Sequence, residues 1–225
     1  MQGLPATLEA VRGRIAEALE RAGAATRSVI IVGVTKKHPA AVVDALAAAG
    51  IRDIGENRVQ EALAKAPAVA ADVRWHLVGH LQRNKARRAA EFFQTIHSVD
   101  SPRLVEALGA AGRPLEIFLQ VNVSGEQAKG GAAPTDLQAL HRAALGHPQL
   151  RVVGLMGMAA WTPDPEASRP AFRALRDLRD ELNRRGDGPP LPYLSMGMSG
   201  DFETAVEEGA THLRLGTILT GPRPA

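Results

Sequence analysis

Two lysines, Lys36 and Lys37, follow directly on the apolar, β-branched run Ser28-Val-Ile-Ile-Val-Gly-Val34. A lysine at the end of a buried strand is partly desolvated, which lowers its pKa and makes the amine nucleophilic towards an aldehyde. The competing role is a stem that snorkels its ammonium to water. Strand alternation does not choose between the two lysines, because both faces of such a strand are covered. Two segments far along the chain suit an anion. In Ser195-Met-Gly-Met-Ser199-Gly-Asp201, Ser199 stands just ahead of a helical stretch with free N–H groups. In Arg214-Leu-Gly216-Thr217, a glycine allows close backbone approach and Thr217 adds a hydroxyl. Ser199 alone could cap the helix that begins near Asp201. The two segments in sequence favour phosphate.

Other candidates carry less. His76 and His80 straddle a strand end, with no third ligand nearby, so zinc is not expected. Lys129-Gly130-Gly131 lacks the spacing of a phosphate loop. Trp75 and Trp161 read as packing residues. Arg83, Lys85, Arg87 and Arg88 read as a solvated helix face. A net charge of +3, from 27 Lys+Arg against 24 Asp+Glu, argues against a nucleic-acid partner. The chain has no cysteine, which removes disulfides, thiolate chemistry and Cys-ligated zinc together. Its first residues do not read as a secretory signal, and no stretch reaches the roughly 18 apolar residues of a membrane span. These features predict a soluble, cytoplasmic protein without a membrane partner.

The elements that must position these residues alternate. Leu4, Leu8, Val11, Ile15 and Leu19 recur at helical spacing, so an amphipathic helix opens the chain. After the first strand, Pro39 and the Ala-rich segment to Ala49 predict a helix with proline in its first turn. Further strands are expected at Ile51–Ile54, Arg74–Val78, Thr95–Ser98, Leu115–Val121, Val152–Met156, Leu191–Ser195 and His212–Leu215. Helices are expected between them at 57–66, 81–91, 102–111, 135–146, 166–185 and 200–208. Strand–helix alternation implies a parallel sheet, and eight units favour one closed (β/α)8 TIM barrel over residues 1–225. Function in such barrels gathers at the C-terminal strand ends. Lys36, Asn57, Met156, Ser199, Arg214, Gly216 and Thr217 all fall there. Gly125–Pro134 is the longest loop, a candidate lid, and Gly221–Ala225 a loose tail.

Five segments together resemble the YggS/PROSC family, the pyridoxal phosphate homeostasis proteins. They are Val34-Thr-Lys-Lys-His-Pro39, Ile54-Gly-Glu-Asn-Arg-Val-Gln-Glu61, Trp75-His-Leu-Val-Gly-His-Leu-Gln-Arg-Asn-Lys85, Gly154-Leu-Met-Gly-Met158, and Leu194-Ser-Met-Gly-Met-Ser199 with Leu213-Arg-Leu-Gly-Thr217. The resemblance implies a fold-type III barrel, similar to the N-terminal domain of alanine racemase, that binds pyridoxal 5′-phosphate. It assigns the Schiff-base lysine to Lys36 and the phosphate to Ser199, Gly216 and Thr217. It puts Arg214 at the pyridine nitrogen and Asn57 and Met156 on the pocket lining. An arginine there donates and cannot accept a proton, so the ring stays unprotonated and is a poorer electron sink. Thr35 stands where the family usually has serine, and Arg58 where an aromatic is common.

The function so implied is intracellular pyridoxal phosphate homeostasis by a monomer, a carrier rather than an enzyme. It would hold the cofactor on Lys36 and release it to apo-enzymes. The alternative is an amino-acid racemase, with Lys36 as one base and a residue such as His80 as the other. A racemase needs acid/base groups on both faces of the α-carbon. Tyr193, the single tyrosine, falls within a strand.

Overall fold

The computed structural model describes residues 3–126 and 129–221. Eight parallel strands close into a barrel in sequence order: β1 (Ile30–Val34), β2 (Asp53–Glu56), β3 (Arg74–Leu77), β4 (Thr95–Val99), β5 (Leu115–Gln120), β6 (Leu150–Met156), β7 (Tyr193–Ser195) and β8 (His212–Leu215). Closure is made by β1 against β8, with Ile30 opposite His212 and Gly33 opposite Leu215. The helices that follow the strands are α2 (Ala40–Ala48), α3 (Val59–Lys65), α4 (Ala86–Phe92), α5 (Pro102–Gly109), α6 (Leu137–Leu145), α7 (Arg169–Arg185), α8 (Phe202–Glu207) and α9 (Thr217–Thr220). The expected TIM barrel is thus the fold.

The opening helix, α1 (Leu4–Arg21), buries the expected stripe of Leu4, Leu8, Val11, Ile15 and Leu19. Arg14 and Arg21 on its outer side pair with Glu203 and Glu207 of α8, which fixes α1 against that helix. No helix among the described residues is long and apolar enough to cross a membrane.

Two strand boundaries differ from expectation for identifiable reasons. Ile51 is not in β2; after Gly50, which turns with φ 90°, its N–H closes on Leu46 O and its side chain packs at the end of α2. Leu191 is not in β7, because Asn183 takes both of its backbone groups, donating to Leu191 O and accepting from Leu191 N. Pro39 precedes α2 in extended conformation instead of lying in its first turn. Helix α7 is entered through a 3-10 turn at Pro165–Ser168, and α4 through one at Arg83–Lys85. The basic cluster is a largely solvated face, with Arg87 bonded to Glu91 one turn on.

Most of the Gly125–Pro134 loop is described, and part of it is pinned to β5. Asn122 N donates to Ala132 O, and Ala132 N to Gln120 O. Gln127, Ala128 and the tail from Pro222 to Ala225 lie outside the described residues, and with them part of the expected lid and nearly all of the expected tail.

Candidate functional site

The C-terminal ends of the strands surround a cavity of about 430 Å³, within the size range of cofactor sites. Lys36, Asn57, Ser199, Arg214, Gly216 and Thr217 all line it. Six of the seven residues read from the sequence therefore meet at one place. Met156 is the exception. It is fully buried in the barrel interior beside Phe118 and Val153, one layer beneath the mouth. Met158, two residues on and thus on the same side of the chain, lines the cavity in its stead.

Backbone geometry separates the two lysines that strand alternation could not. Lys36 is half-buried on the cavity wall. Lys37 is exposed and turns the chain with φ 63°, while its N–H donates to the Glu61 carboxylate. Beneath this turn lies a buried ion pair. Lys65 Nζ donates to Glu56 Oε1 at 2.5 Å and to the carbonyl of Thr35 at 2.7 Å, and Thr35 Oγ1 donates to Glu56 Oε1 at 2.6 Å. Burial outweighs these bonds and holds the Glu56 carboxyl above its ordinary range.

Gly79 brings the neighbouring loop close. A Cβ there would stand 2.3 Å from the carbonyl oxygen of Asn57, so only glycine fits. On its other side, Asn57 borders a second groove with Arg58, His80, Gln82 and Lys85. Arg58, which departs from the family pattern, thus faces that groove and not the first cavity.

On the opposite wall the two anion segments touch. Ser199 Oγ accepts from the N–H of Ile218 at 3.3 Å, so Ser199 ties the β7 and β8 loops together and does not cap α8. Asp201 closes that turn instead, accepting from Met198 N at 2.7 Å. Trp161 stands 82 % exposed on the rim, a correction to its reading as a packing residue. Trp75 does pack, against Phe92.

Arg214 is the least ordinary member. It is 5 % exposed, and its side chain bonds neutral oxygens, Nη1 donating to Ser195 Oγ at 2.8 Å and Nη2 to Gly157 O at 3.0 Å. Burial pushes its pKa down to about 10, with Asp201 opposing. A desolvated cation that borders a cavity favours an anionic or lone-pair ligand, which is what a pyridine phosphate presents. The residues present fit that group.

Sequence reading did not assemble the polar interior below, Asp53, His76, His97, Ser195 and His212; it weighed His76 only as a metal ligand and Ser195 only within an anion segment. The available signal was a histidine inside each of three short strands, His76, His97 and His212. Among the described residues, no cluster of His, Asp and Glu could hold a metal.

Residues 7–224 match the family described as alanine racemase, N-terminal domain. The pyridoxal phosphate homeostasis protein of Pseudomonas aeruginosa is 45 % identical over 99 % of this chain and 97 % of its own. That of Aquifex aeolicus is 41 % identical, over 96 % of each. Among solved structures, PipY of Synechococcus elongatus with pyridoxal phosphate bound has a TM-score of 0.83 and 38 % identity, covering 97 % of this chain and 100 % of that one. An alanine racemase of Clostridium difficile shares the fold alone, at 15 % identity and TM-score 0.75, with 100 % of this chain on 58 % of that one. By sequence along nearly its whole length, this chain belongs to the family of pyridoxal phosphate homeostasis proteins.

Proposed function

We propose that this protein is a pyridoxal phosphate carrier that holds the cofactor through a Schiff base to Lys36 and releases it to apo-enzymes that need it. The observation that carries this reading is the convergence of Lys36, Asn57, Ser199, Arg214, Gly216 and Thr217 on one cavity. Bound there, pyridoxal phosphate supplies an aldehyde that condenses reversibly with amines. The Lys36 amine anchors it. The hydroxyls of Ser199 and Thr217 and the open backbone at Gly216 receive the phosphate. Arg214 donates to the ring nitrogen and, with no lone pair to accept from a protonated ring, favours the unprotonated pyridine. The names of the relatives and the pyridoxal phosphate in PipY support this reading.

Holding is favoured over turnover by where the other acid/base groups lie. His80, the second base of the racemase reading, has a side chain 70 % exposed, and it lines the neighbouring groove. Tyr193 packs inside the barrel against Phe118 and His212. A proton shuttle on the second face of an α-carbon needs a group at the mouth; the carboxyl on the cavity lining, Asp201, is engaged by Met198 N.

The test is the visible spectrum of purified protein with added pyridoxal phosphate, then borohydride reduction and peptide mapping. A yellow band and a label on Lys36 are expected. A colourless protein, or label spread over surface lysines, overturns the anchor. Robust racemisation of a common amino acid by pure protein overturns the carrier.

A further inference from the structure

A continuous line of side chains crosses the barrel interior beneath the cavity. Asp53, at the N-terminal end of β2, bonds His76 Nε2 at 2.9 Å. His76 Nδ1 lies 3.0 Å from His97 Nε2, and His97 Nδ1 lies 2.8 Å from Ser195 Oγ. Ser195 Oγ in turn accepts from Arg214 Nη1. Strands β4 and β7 are not neighbours in the barrel, so the His97–Ser195 bond spans the lumen. His97 and Ser195 are fully buried and His76 nearly so. Phe118 stacks on His97 at 4.4 Å between ring centres, which fixes the plane of the imidazole.

The chemistry of the two ends sets the direction of the terminal bonds, and the need of the serine hydroxyl for an acceptor sets the rest. Arginine can only donate, and an ionised carboxylate can only accept. Asp53 is held ionised, its pKa lowered by His76 and Arg74 against the opposing effect of burial. His76 must then carry its proton on Nε2. With His76 Nδ1 as the acceptor, His97 donates from Nε2 and accepts at its own Nδ1. Ser195 donates its hydroxyl proton to that nitrogen while accepting from Arg214. This is the arrangement in which each group of the line, the serine hydroxyl included, has a partner. In the reverse order Ser195 would accept twice, and no bond of the line would take its own proton.

We propose that Asp53, His76, His97 and Ser195 form a one-directional hydrogen-bond relay that positions Arg214 at the mouth of the cavity. Its donors run from Arg214 through Ser195, His97 and His76 to Asp53. The relay gives the buried guanidinium an oriented acceptor, polarised by a carboxylate at the far end. Asp201 also lines the cavity and acts on Arg214 through space, but its side chain accepts from Met198 N and Ser168 Oγ. The four are positioning residues; Arg214 alone of the line touches the ligand. The relay rests on the reading of the cavity as the pyridoxal phosphate site for its purpose, but not for its existence.

The test begins without cofactor. Nitrogen-15 histidine spectra of the apoprotein should show His76 and His97 each with its proton on Nε2 and a bare Nδ1. His97 protonated on Nδ1 overturns the relay, whatever the protein binds. Asp53→Asn removes the charge that sets the direction, and the Nδ1-protonated form of His97 should then become populated. His97 resonances identical to the parent's would overturn the role given to the carboxylate. Ser195→Ala cuts the line next to Arg214. With pyridoxal phosphate bound on Lys36, this variant should release it about tenfold faster, with a shifted pH profile of the visible band. Release and profile equal to the parent's overturn the positioning role. If the parent binds no pyridoxal phosphate, the carrier reading fails, and the histidine spectra still decide the relay.

Discussion

The two walls of the cavity handle buried charge in opposite ways. On the β1–β2 side, Lys65 is buried in direct contact with the Glu56 carboxylate, with Thr35 bonded to both. On the β7–β8 side, Arg214 is buried with only neutral oxygens against its side chain. A buried cation with its counter-ion beside it is spent on structure, here on holding the turn that carries Lys36. A buried cation whose hydrogen bonds go to neutral oxygens, with Asp201 acting on it through space, keeps N–H groups for something else. The difference separates scaffold from site more sharply than burial does, since both cations are almost fully covered.

The largest expected effect breaks the first wall. Lys65→Met strands a buried carboxylate and should destabilise the fold by about 3 kcal/mol, whereas Glu56→Leu with Lys65→Met should restore most of that loss. Arg214→Met removes a cation whose hydrogen bonds go to neutral oxygens, so it should cost less stability than Lys65→Met, about 1–2 kcal/mol. Its cost should fall on the ligand instead, with affinity for pyridoxal phosphate lower by roughly ten- to a hundredfold. Urea midpoints and cofactor titrations of the three variants check both walls. Equal destabilisation by Lys65→Met and Arg214→Met would erase the contrast.

Acid should sharpen the comparison. Burial is the main cause that holds His97 well below 6.5 and His212 down at about 3. His76 and Arg214 lower both further, Arg74 lowers His212, and Asp53 opposes at His212. An unfolded histidine takes up its proton near 6.5. A depressed folded value means that the unfolded chain binds protons first as pH falls. Stability from these two groups is therefore complete above about pH 6.5 and lost towards the folded values, at about 1.4 kcal/mol per pH unit for each. The lowered Asp53 carboxyl adds the same sign further into acid. Glu56 has the opposite sign: its raised value favours the fold below the ordinary carboxylate range, and that contribution is lost as pH rises through the folded value. Urea midpoints at successive pH should thus fall steeply below neutrality in the parent and less in a His212→Phe variant. A flat profile between about pH 6.5 and about pH 5 would place water or a counter-charge in the interior.

The same contrast explains what could be read from the sequence. The barrel was legible because eight apolar runs alternate with amphipathic stretches. Six cavity residues were legible because the motifs that carry the family resemblance fall at strand ends, which a barrel gathers on one face. Met156 was misplaced because strand position alone does not say which layer of the interior a side chain fills. Strand alternation did not separate Lys36 from Lys37; the family resemblance named Lys36, and the left-handed turn at Lys37 became visible only in the structure. The relay was illegible because its members lie on β2, β3, β4 and β7 and meet across the lumen, with no spacing in common. Lys65 was equally hidden, as one polar residue of an Ala-rich helix whose partner ends a strand.

The smallest effect expected is at the rim. Trp161 lines the cavity yet is 82 % exposed, so it contributes little packing. Trp161→Ala should change stability by no more than about 0.5 kcal/mol. Trp75, the other tryptophan, is buried against Phe92 away from the cavity. Added pyridoxal phosphate should therefore quench the parent's emission mainly through Trp161, and the variant should keep a nearly constant Trp75 signal. Should the variant quench as strongly as the parent, Trp161 does not border the bound cofactor, and the mouth is closed over the ligand by other residues. Should stability fall by more than a kilocalorie or so, Trp161 packs onto the rim instead of standing in solvent.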